Sequence, residues 1–135
     1  MERLIKTLKD LGWKRNTSTW YFENGNYCFM IGFQKSLYSD IYYIELSYTN
    51  KSNSNRKYND SYFRTRITTI KNPKGMFSLE NEVDINDLMN KIIELHNLIG
   101  DIKNKNDLVN FIMTNIISSA VGLNKKQKEE IELIQ

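Results

Sequence analysis

Two short polar groups in the first seventy residues have side chains suited to binding an anion. Gln34, Lys35 and Ser36 place an amide, an ammonium and a hydroxyl where a predicted strand enters a turn. Arg64 and Arg66 alternate along another predicted strand, so their guanidinium groups lie on one face, about 7 Å apart. Guanidinium groups bind phosphate and carboxylate well because they donate two parallel hydrogen bonds. The pattern therefore predicts a binding site for an acidic group on or beside the sheet.

Aromatic side chains are predicted near the two arginines. Trp20, Tyr43 and Tyr62 offer flat rings, and a sheet face that bears arginines and aromatics is typical of proteins that bind single-stranded nucleic acids. A structural interpretation stays open beside this one. In it the arginines pair with Glu23 or Glu45 on neighbouring strands and the rings belong to the core. The strand register decides between the two interpretations.

The sequence offers few residues for catalysis or metal binding. His96 is the only histidine, and Glu94, two residues away, lies on a different side of the predicted helix. One histidine and one cysteine, Cys28, are too few for a structural zinc site. The sequence has no nucleophile elbow, phosphate-binding loop or dinucleotide fingerprint. We therefore predict no catalytic residue, no metal and no cofactor.

The hydrophobic pattern predicts an α+β fold that would position these side chains. We expect a four-stranded, mainly antiparallel sheet over about residues 17–70, preceded by one helix and followed by two or three. Alternating apolar residues predict strands over 19–22, 27–34, 41–49 and 62–70, and helical spacing predicts a helix over 2–11. Between the first two strands, Asn24-Gly25 predicts a type I′ hairpin turn. Residues 51–60 are polar and aperiodic, which indicates a loop.

Three polar residues are predicted to cap the later helices. Asp84 would begin a helix that ends at Gly100, Asn106 would begin one that ends at Gly122, and Asn124 would begin the last. The middle helix, whose apolar-leaning segment is 108–121, is apolar over more than half of its circumference along residues 108–117. We expect it to belong to the core, and a homodimer through this helix stays open.

Length and composition predict one domain over residues 1–135, long enough to bury a hydrophobic core. With a single cysteine the chain cannot form an internal disulfide, and we expect a cytoplasmic protein. The charged first residues are unlike a signal peptide, and segment 108–121 is shorter than the ~20 residues of a membrane span, so we expect no membrane association. Abundant Asn, Lys and Ile indicate an AT-rich genome, such as that of a bacterium or its phage.

Charge is divided unevenly along the chain, although the net charge is only +3. Residues 1–75 hold 13 Lys and Arg against 6 Asp and Glu, whereas residues 76–135 hold 6 against 10. The basic half suits an anionic partner, and the two halves also suit an interface with each other. Solvated surface charge without a dedicated partner explains the same numbers, so all three interpretations stay open.

Several sequence pieces resemble those of a known family. They are Leu11-Gly12-Trp13-Lys14, Thr19-Trp20-Tyr21-Phe22, Ile31-Gly32-Phe33-Gln34-Lys35-Ser36, Tyr42-Tyr43-Ile44-Glu45-Leu46 and Tyr62-Phe63-Arg64-Thr65-Arg66-Ile67. Over about residues 4–98 the chain is similar to the bacterial family called domain of unknown function 4304. The resemblance implies a small α+β fold and no particular activity. It also implies that Gln34-Lys35-Ser36 and the two arginines are distinctive, in either a structural or a binding role.

Two functions follow from these observations. The first is a small non-enzymatic protein–protein interaction module, such as an immunity protein or a phage-encoded inhibitor, because catalytic patterns are missing and the surface carries both signs of charge. The second is nucleic-acid or nucleotide binding through Lys35, Arg64 and Arg66, with Arg56 and Lys57 nearby in the sequence. Salt distinguishes the two, because affinity for phosphates falls steeply as salt rises.

Overall fold

The secondary structure follows the predicted pattern with additional strands. The computed structural model describes residues 1–50, 61–117 and 122–132. The elements within them are α1 (Glu2–Asp10), β1 (Lys14–Asn16), β2 (Thr19–Asn24), β3 (Tyr27–Lys35), β4 (Ile41–Asn50), β5 (Phe63–Arg66), β6 (Phe77–Ser78), α2 (Glu82–Gly100), α3 (Lys105–Asn115) and α4 (Lys125–Glu132). One helix, an antiparallel sheet and three further helices confirm the α+β class.

The strands form one antiparallel sheet in the order β1-β2-β3-β4-β5, and β6 pairs with the start of β4. The predicted number of four strands is wrong, because the described residues contain six. β1 and β6 have three and two residues, which is too short to produce an alternating pattern. β5 ends at Arg66, earlier than the predicted strand, because the chain turns between Thr69 and Asn72, whose backbone groups bond at 3.2 Å.

The hydrophobic core lies between one face of the sheet and the helices. In the register of β3 and β4, Phe29 is opposite Tyr48 and Ile31 is opposite Leu46, and all four side chains are buried. The helices supply a second set of buried residues to the same cluster: Leu4, Leu8, Leu88, Ile92, Leu95, Leu108 and Ile112. Fully burying one such side chain stabilises the fold by about 1.5–3 kcal/mol.

The other face of the sheet is buried in its middle and exposed toward one end. Cys28 and Met30 on β3, with Ser47 and Thr49 on β4, are almost completely inaccessible. Cys28 is thus a small buried side chain, the usual role of a free cysteine in a strand. Gln34, toward the end of β3, is exposed on the same face.

Helices α2 and α3 begin at asparagines, a little before the predicted positions. The side chain of Asn81 accepts a hydrogen bond from the amide of Asp84 at 3.1 Å, and that of Asn104 accepts from Asp107 at 2.9 Å. The predicted caps Asp84 and Asn106 are therefore wrong. In both cases an asparagine three residues ahead of an aspartate occupies the capping position.

The remaining helix boundaries agree better with the sequence. Asn124 begins α4 as predicted, in a reciprocal capping box in which its amide and side chain both bond Gln127, at 3.0 and 2.9 Å. Gly100 ends α2, as predicted. α3 ends at Asn115, before the predicted stop at Gly122, and residues 118–121 lie outside the described residues.

Apolar residues of α3 and of the segment after it face the core of their own chain. Leu108, Phe111, Ile112 and Ile116 are buried in the core cluster. This favours the core interpretation for the described part of segment 108–121, and a homodimer through it stays a prediction. Of the other predicted features, the loop 51–60 with Arg56 and Lys57 lies outside the described residues. No helix in the described part of the chain is long and apolar enough to cross a membrane.

The turn between β2 and β3 differs from the predicted type. Asn24 pairs with Tyr27, so the two central residues are Gly25 and Asn26. Among these positions only Gly25 has a positive φ, of 60°. A type I′ turn needs positive φ at both central residues, so the predicted type I′ is wrong.

Asn24 connects this turn to the end of α2. Its side-chain amide donates to the carbonyl oxygens of Ile99 and Ile102, both at 2.9 Å. The Ile99 carbonyl, in the last turn of α2, also accepts from the amide of Ile102 at 3.2 Å, and the Ile102 carbonyl lies just past the helix end. The hydrogen bonds fix the β2–β3 turn against the junction of α2 and α3.

Candidate functional site

Arg66 and Tyr43 form the centre of the predicted anion-binding face. The guanidinium carbon of Arg66 lies 4.1 Å from the centre of the Tyr43 ring. Gln34 is paired with Tyr43 in the register of β3 and β4. The Arg66 stem also passes close to Gly75, where an added Cβ would come within 2.6 Å of the arginine Cδ. The structure therefore brings together Gln34, Tyr43 and Arg66, and it holds the arginine between a ring and a turn.

The strand register also gives each arginine a neighbour on β4. Arg66 is directly opposite Glu45, and Arg64 is directly opposite Ser47. Opposite charges at such positions contribute about 0.2–1 kcal/mol. This register supports the structural interpretation for Arg66. Both arginines are nevertheless exposed, so their charge stays on the protein surface.

Two of the predicted stacking residues lie away from Arg66. Trp20 is opposite Ile31 on the core face, with only 4% of its surface exposed, so its predicted place beside the arginines is wrong. The cause is the alternation of side chains, which directs Trp20 to the face opposite that of Arg66. Tyr62 precedes the other end of β5, where the ammonium of Lys126 lies 5.7 Å from its ring centre.

Lys35 and Ser36 belong to a different feature, the tip of the β3–β4 hairpin. We call residues Ser36–Asp40 the hairpin tip. Lys35 forms an exposed ion pair with Asp40 at 3.6 Å, and the amide of Ser36 donates to the carbonyl of Ile41 at 2.8 Å. The hydroxyl oxygens of Ser36 and Ser39 accept from amides two residues on, at 3.3 and 3.4 Å. The tip therefore satisfies many of its own polar groups.

The hairpin tip exposes two large apolar side chains. Leu37 is 91% exposed and Tyr38 is 95% exposed. Val83, at the start of α2, is 61% exposed and lies at the same end of the sheet, because the neighbouring Asp84 accepts from the amide of Ser78 at 2.8 Å. Ser78 in turn pairs with Ile41, the first residue after the tip. The sequence signal that could have revealed this surface is a leucine and a tyrosine inside a turn, where polar residues are usual.

His96 is part of an aromatic cluster that joins α2 to the first residues after α1. The indole Nε1 of Trp13 donates to its Nδ1 at 3.0 Å, and the Phe22 ring meets it edge-on with centres 4.8 Å apart. Because Nδ1 accepts this bond, the neutral ring carries its proton on Nε2. Burial lowers the pKa of His96 below its usual value of 6.5. The histidine thus acts as a neutral packing and hydrogen-bonding residue.

The acidic residues around the start of α2 have structural partners. Asp84 accepts from Ser78, as described above, and Asp87 accepts from the Thr69 hydroxyl and, at 2.7 Å, from the side-chain amide of Asn72. These bonds attach the 69–72 turn to α2. Among the described residues, no three His, Cys, Asp or Glu side chains are grouped so that they could hold a metal ion.

Comparison with protein families identifies the chain. The model of the family described as domain of unknown function, DUF4304, matches residues 4–100. The chain belongs to the DUF4304 family. This confirms the resemblance found over residues 4–98 in the sequence. Comparisons with curated proteins and with solved structures gave no match.

Both candidate surfaces lie within the region that matches DUF4304. Residues 4–100 include most of α1, the sheet and α2, so the match covers the Arg66–Tyr43 face and the hairpin tip. Helices α3 and α4 follow it. The description of DUF4304 assigns no activity, so the function has to be inferred from the geometry of these surfaces.

Proposed function

We propose that this DUF4304 protein is a small non-enzymatic protein–protein interaction module, of the kind represented by immunity proteins or phage-encoded inhibitors. The observation that carries the proposal is the exposure of Leu37 and Tyr38, at 91% and 95%, on the hairpin tip. Protein interfaces commonly depend on a few apolar or aromatic anchors that enter a pocket of the partner. The tip presents two such anchors next to each other.

The build of the hairpin tip supports a role as a preorganised anchor. Two side chains at almost full exposure gain little from the fold itself, whereas the backbone around them is held by the bonds of Ser36 and Ser39. A loop that is already ordered loses less conformational entropy when it binds. The Lys35–Asp40 ion pair at its base adds polar groups of the kind that surround the apolar centre of an interface.

The proposed function can be tested with the full chain as bait in a lysate of the cells that encode it. The variant Leu37→Ser/Tyr38→Ser removes both anchors, and Ile70→Ser removes a fully exposed apolar residue elsewhere. We expect a protein retained by the wild type and by Ile70→Ser, with at least about tenfold weaker retention by the tip variant, because losing an anchor costs about 2 kcal/mol or more. Equal retention by both variants, or no retained protein at all, would contradict the proposal.

The alternative is nucleic-acid or nucleotide binding, and it is supported by two exposed arginines on one face, Arg64 and Arg66. The same geometry weakens it. Trp20 is buried, and the guanidinium of Arg66 already covers one side of the Tyr43 ring, where a base would otherwise stack. We therefore place this function second.

A salt titration distinguishes the alternative from the proposed function. If the Arg66–Tyr43 face binds single-stranded DNA or RNA, a plot of log affinity against log salt concentration should have a slope of about −0.7 per phosphate contact. The variant Arg64→Gln should then reduce this slope, while the hairpin-tip variant should leave it unchanged. An absence of binding to mixed-sequence oligonucleotides at low salt removes the alternative.

A further inference from the structure

Helices α2 and α3, with the connection between them, border an open, shallow groove. The groove has a volume of about 460 Å³ and is lined by Glu94, Leu98, Asp101, Ile102, Asp107, Asn110, Phe111, Thr114 and Asn115. Binding clefts in proteins usually enclose about 300–1,000 Å³, so this groove is large enough to receive side chains of a ligand. Asp107, Phe111 and their neighbours lie outside the family match, so the groove combines a family helix with an additional one.

The floor of the groove is apolar. Leu98, Ile102 and Phe111 contribute to the lining, and Leu98 is 40% exposed. Ile102 and Phe111 are largely buried and belong to the core cluster, so the floor is continuous with the interior. A ligand that fills the groove would cover Leu98 and extend the buried apolar surface to which Ile102 and Phe111 belong.

The rim of the groove is acidic. Glu94, Asp101 and Asp107 are lining residues, and the lining contains no lysine or arginine. Glu94 pairs with the ammonium of Lys91 on the same helix at 3.7 Å, a partly exposed pair that is worth about 1 kcal/mol or less. The acidic excess of residues 76–135 is therefore concentrated, in part, around an apolar groove.

The walls of the groove are held in place by short-range bonds in the α2–α3 connection. The Asn104 side chain accepts from the amide of Asp107, and the Asp107 carboxylate accepts from the amide of Lys103 at 3.1 Å. The side chain of Asn24 binds the carbonyls of Ile99 and Ile102 from the sheet side. The two helices thus form a preorganised pair rather than a surface that has to assemble on binding.

We propose that the α2–α3 groove docks a basic amphipathic helix of a protein partner. Its apolar face would cover Leu98 and the floor, and its flanking Lys or Arg side chains would meet Glu94 and Asp101. Charge complementarity selects this occupant, since Glu94, Asp101 and Asp107 give the rim an acidic character that attracts a basic helix and repels an acidic one. The inference rests on the proposed interaction function, but it uses a surface separate from the hairpin tip.

The test uses a synthetic helical peptide of about 14 residues, or four turns, with leucines at helical spacing and lysines on both flanks. A matched peptide has glutamate in place of each lysine. Both are titrated into the ¹⁵N-labelled full chain, and backbone amide shifts are followed by NMR. We expect saturable shifts for the lysine peptide at residues 94–115 and none of comparable affinity for the glutamate peptide.

Two pairs of substitutions locate the interaction. Glu94→Gln with Asp101→Asn neutralises exposed rim carboxylates without changing their shape, and we expect it to weaken the lysine peptide by about 2- to 30-fold, since each exposed pair contributes modestly. Glu129→Gln with Glu132→Gln makes the same change of net charge on α4, outside the groove, and should leave affinity within about twofold. Leu98→Ser, with the fold checked by circular dichroism, should weaken binding without altering its salt dependence.

The outcomes that overturn the inference are distinct from failure of the proposed function. Equal affinity for the two peptides, equal weakening by the two substitution pairs, shifts outside 94–115, or no shift at about 1 mM peptide would each reject the groove. Self-association of the chain that is lost in the Glu94→Gln/Asp101→Asn variant would also reject it, because a second copy would then be the occupant. The tip variant Leu37→Ser/Tyr38→Ser should bind the peptide normally, so the two surfaces succeed or fail separately.

Discussion

Replacing Gly75 by alanine should destabilise the protein more than replacing any glycine in open space. Gly75 is buried and has φ of +69°, and an added Cβ would lie 2.6 Å from Cδ of Arg66 and 2.8 Å from the carbonyl oxygen of Ile67. The arginine side chain can move, but the carbonyl is backbone and can yield only if the turn shifts. Gly25 provides the matched control, because it has φ of +60° and an added Cβ there meets nothing within 4 Å.

The two glycines separate the cost of backbone conformation from the cost of crowding. Left-handed backbone costs a non-glycine residue about 1–2 kcal/mol, and this is the whole effect expected for Gly25→Ala. Overpacking adds about 1–3 kcal/mol, so Gly75→Ala should reduce the free energy of unfolding by about 2–5 kcal/mol. In the double variant Arg66→Ala/Gly75→Ala the crowding against the arginine is removed, while the backbone cost and the crowding against the Ile67 carbonyl remain. The loss of unfolding free energy should therefore be smaller than the sum of the losses in the two single variants.

The measurement is urea unfolding followed by far-ultraviolet circular dichroism, with wild type, the three single variants and the double variant at equal concentration. Equal losses for Gly75→Ala and Gly25→Ala, within about 0.5 kcal/mol, would show that crowding against Arg66 and Ile67 is absent. Strict additivity in the double variant would show that the arginine side chain is not held against the turn.

Three further predictions concern polar groups in the interior. Because burial lowers the pKa of His96, the folded state takes up a proton less readily than the unfolded state, so the free energy of unfolding should fall as pH drops below 6.5. The variant His96→Gln can accept from Trp13 but does not titrate, so it should lack this part of the pH dependence in urea unfolding at pH 5 and 7.5. Among the described residues the buried hydroxyl of Tyr48 has no hydrogen-bond partner, so Tyr48→Phe should leave stability unchanged or raise it by up to about 1–3 kcal/mol, and a clear loss in thermal unfolding would reveal a partner for it. Asn24→Asp replaces an amide that donates to two carbonyls with an acceptor of the same size, and it should lower the free energy of unfolding by roughly 2–4 kcal/mol. A loss below about 0.5 kcal/mol, equal to that of the exposed control Asn26→Asp, would mean that the turn is not attached to α2.

The long strands could be predicted because each carries enough alternating residues to define both faces. β3 and β4 together place Phe29 opposite Tyr48, and the pairing of Gln34 with Tyr43 follows from the same register. Trp20 shows where this reasoning stops. Its strand has six residues and precedes a turn whose type the Asn-Gly pair does not determine, so its face depends on a register that only the folded hairpin provides.

Helix starts and surfaces were harder to predict for physical reasons. Asn81 and Asp84 both have side chains that can cap α2. Which of them does so depends on whether the Asp84 carboxylate accepts a hydrogen bond from the amide of Ser78, which lies outside the helix. The groove between α2 and α3 depends on how the two helices pack, which periodicity does not specify. The exposure of Leu37 and Tyr38 was accessible in principle, because the turn is defined by the strands on either side.

The first strand, β1, has a consequence for how copies of the protein behave in a crowded solution. It forms one outer edge of the sheet with only Lys14, Arg15 and Asn16, all exposed, and the Arg15 side chain bonds back to the carbonyl of Thr17 at 2.8 Å. Edges that are short and positively charged repel a second edge of the same kind and offer few backbone groups for pairing. At this edge the protein therefore resists growth into extended β aggregates.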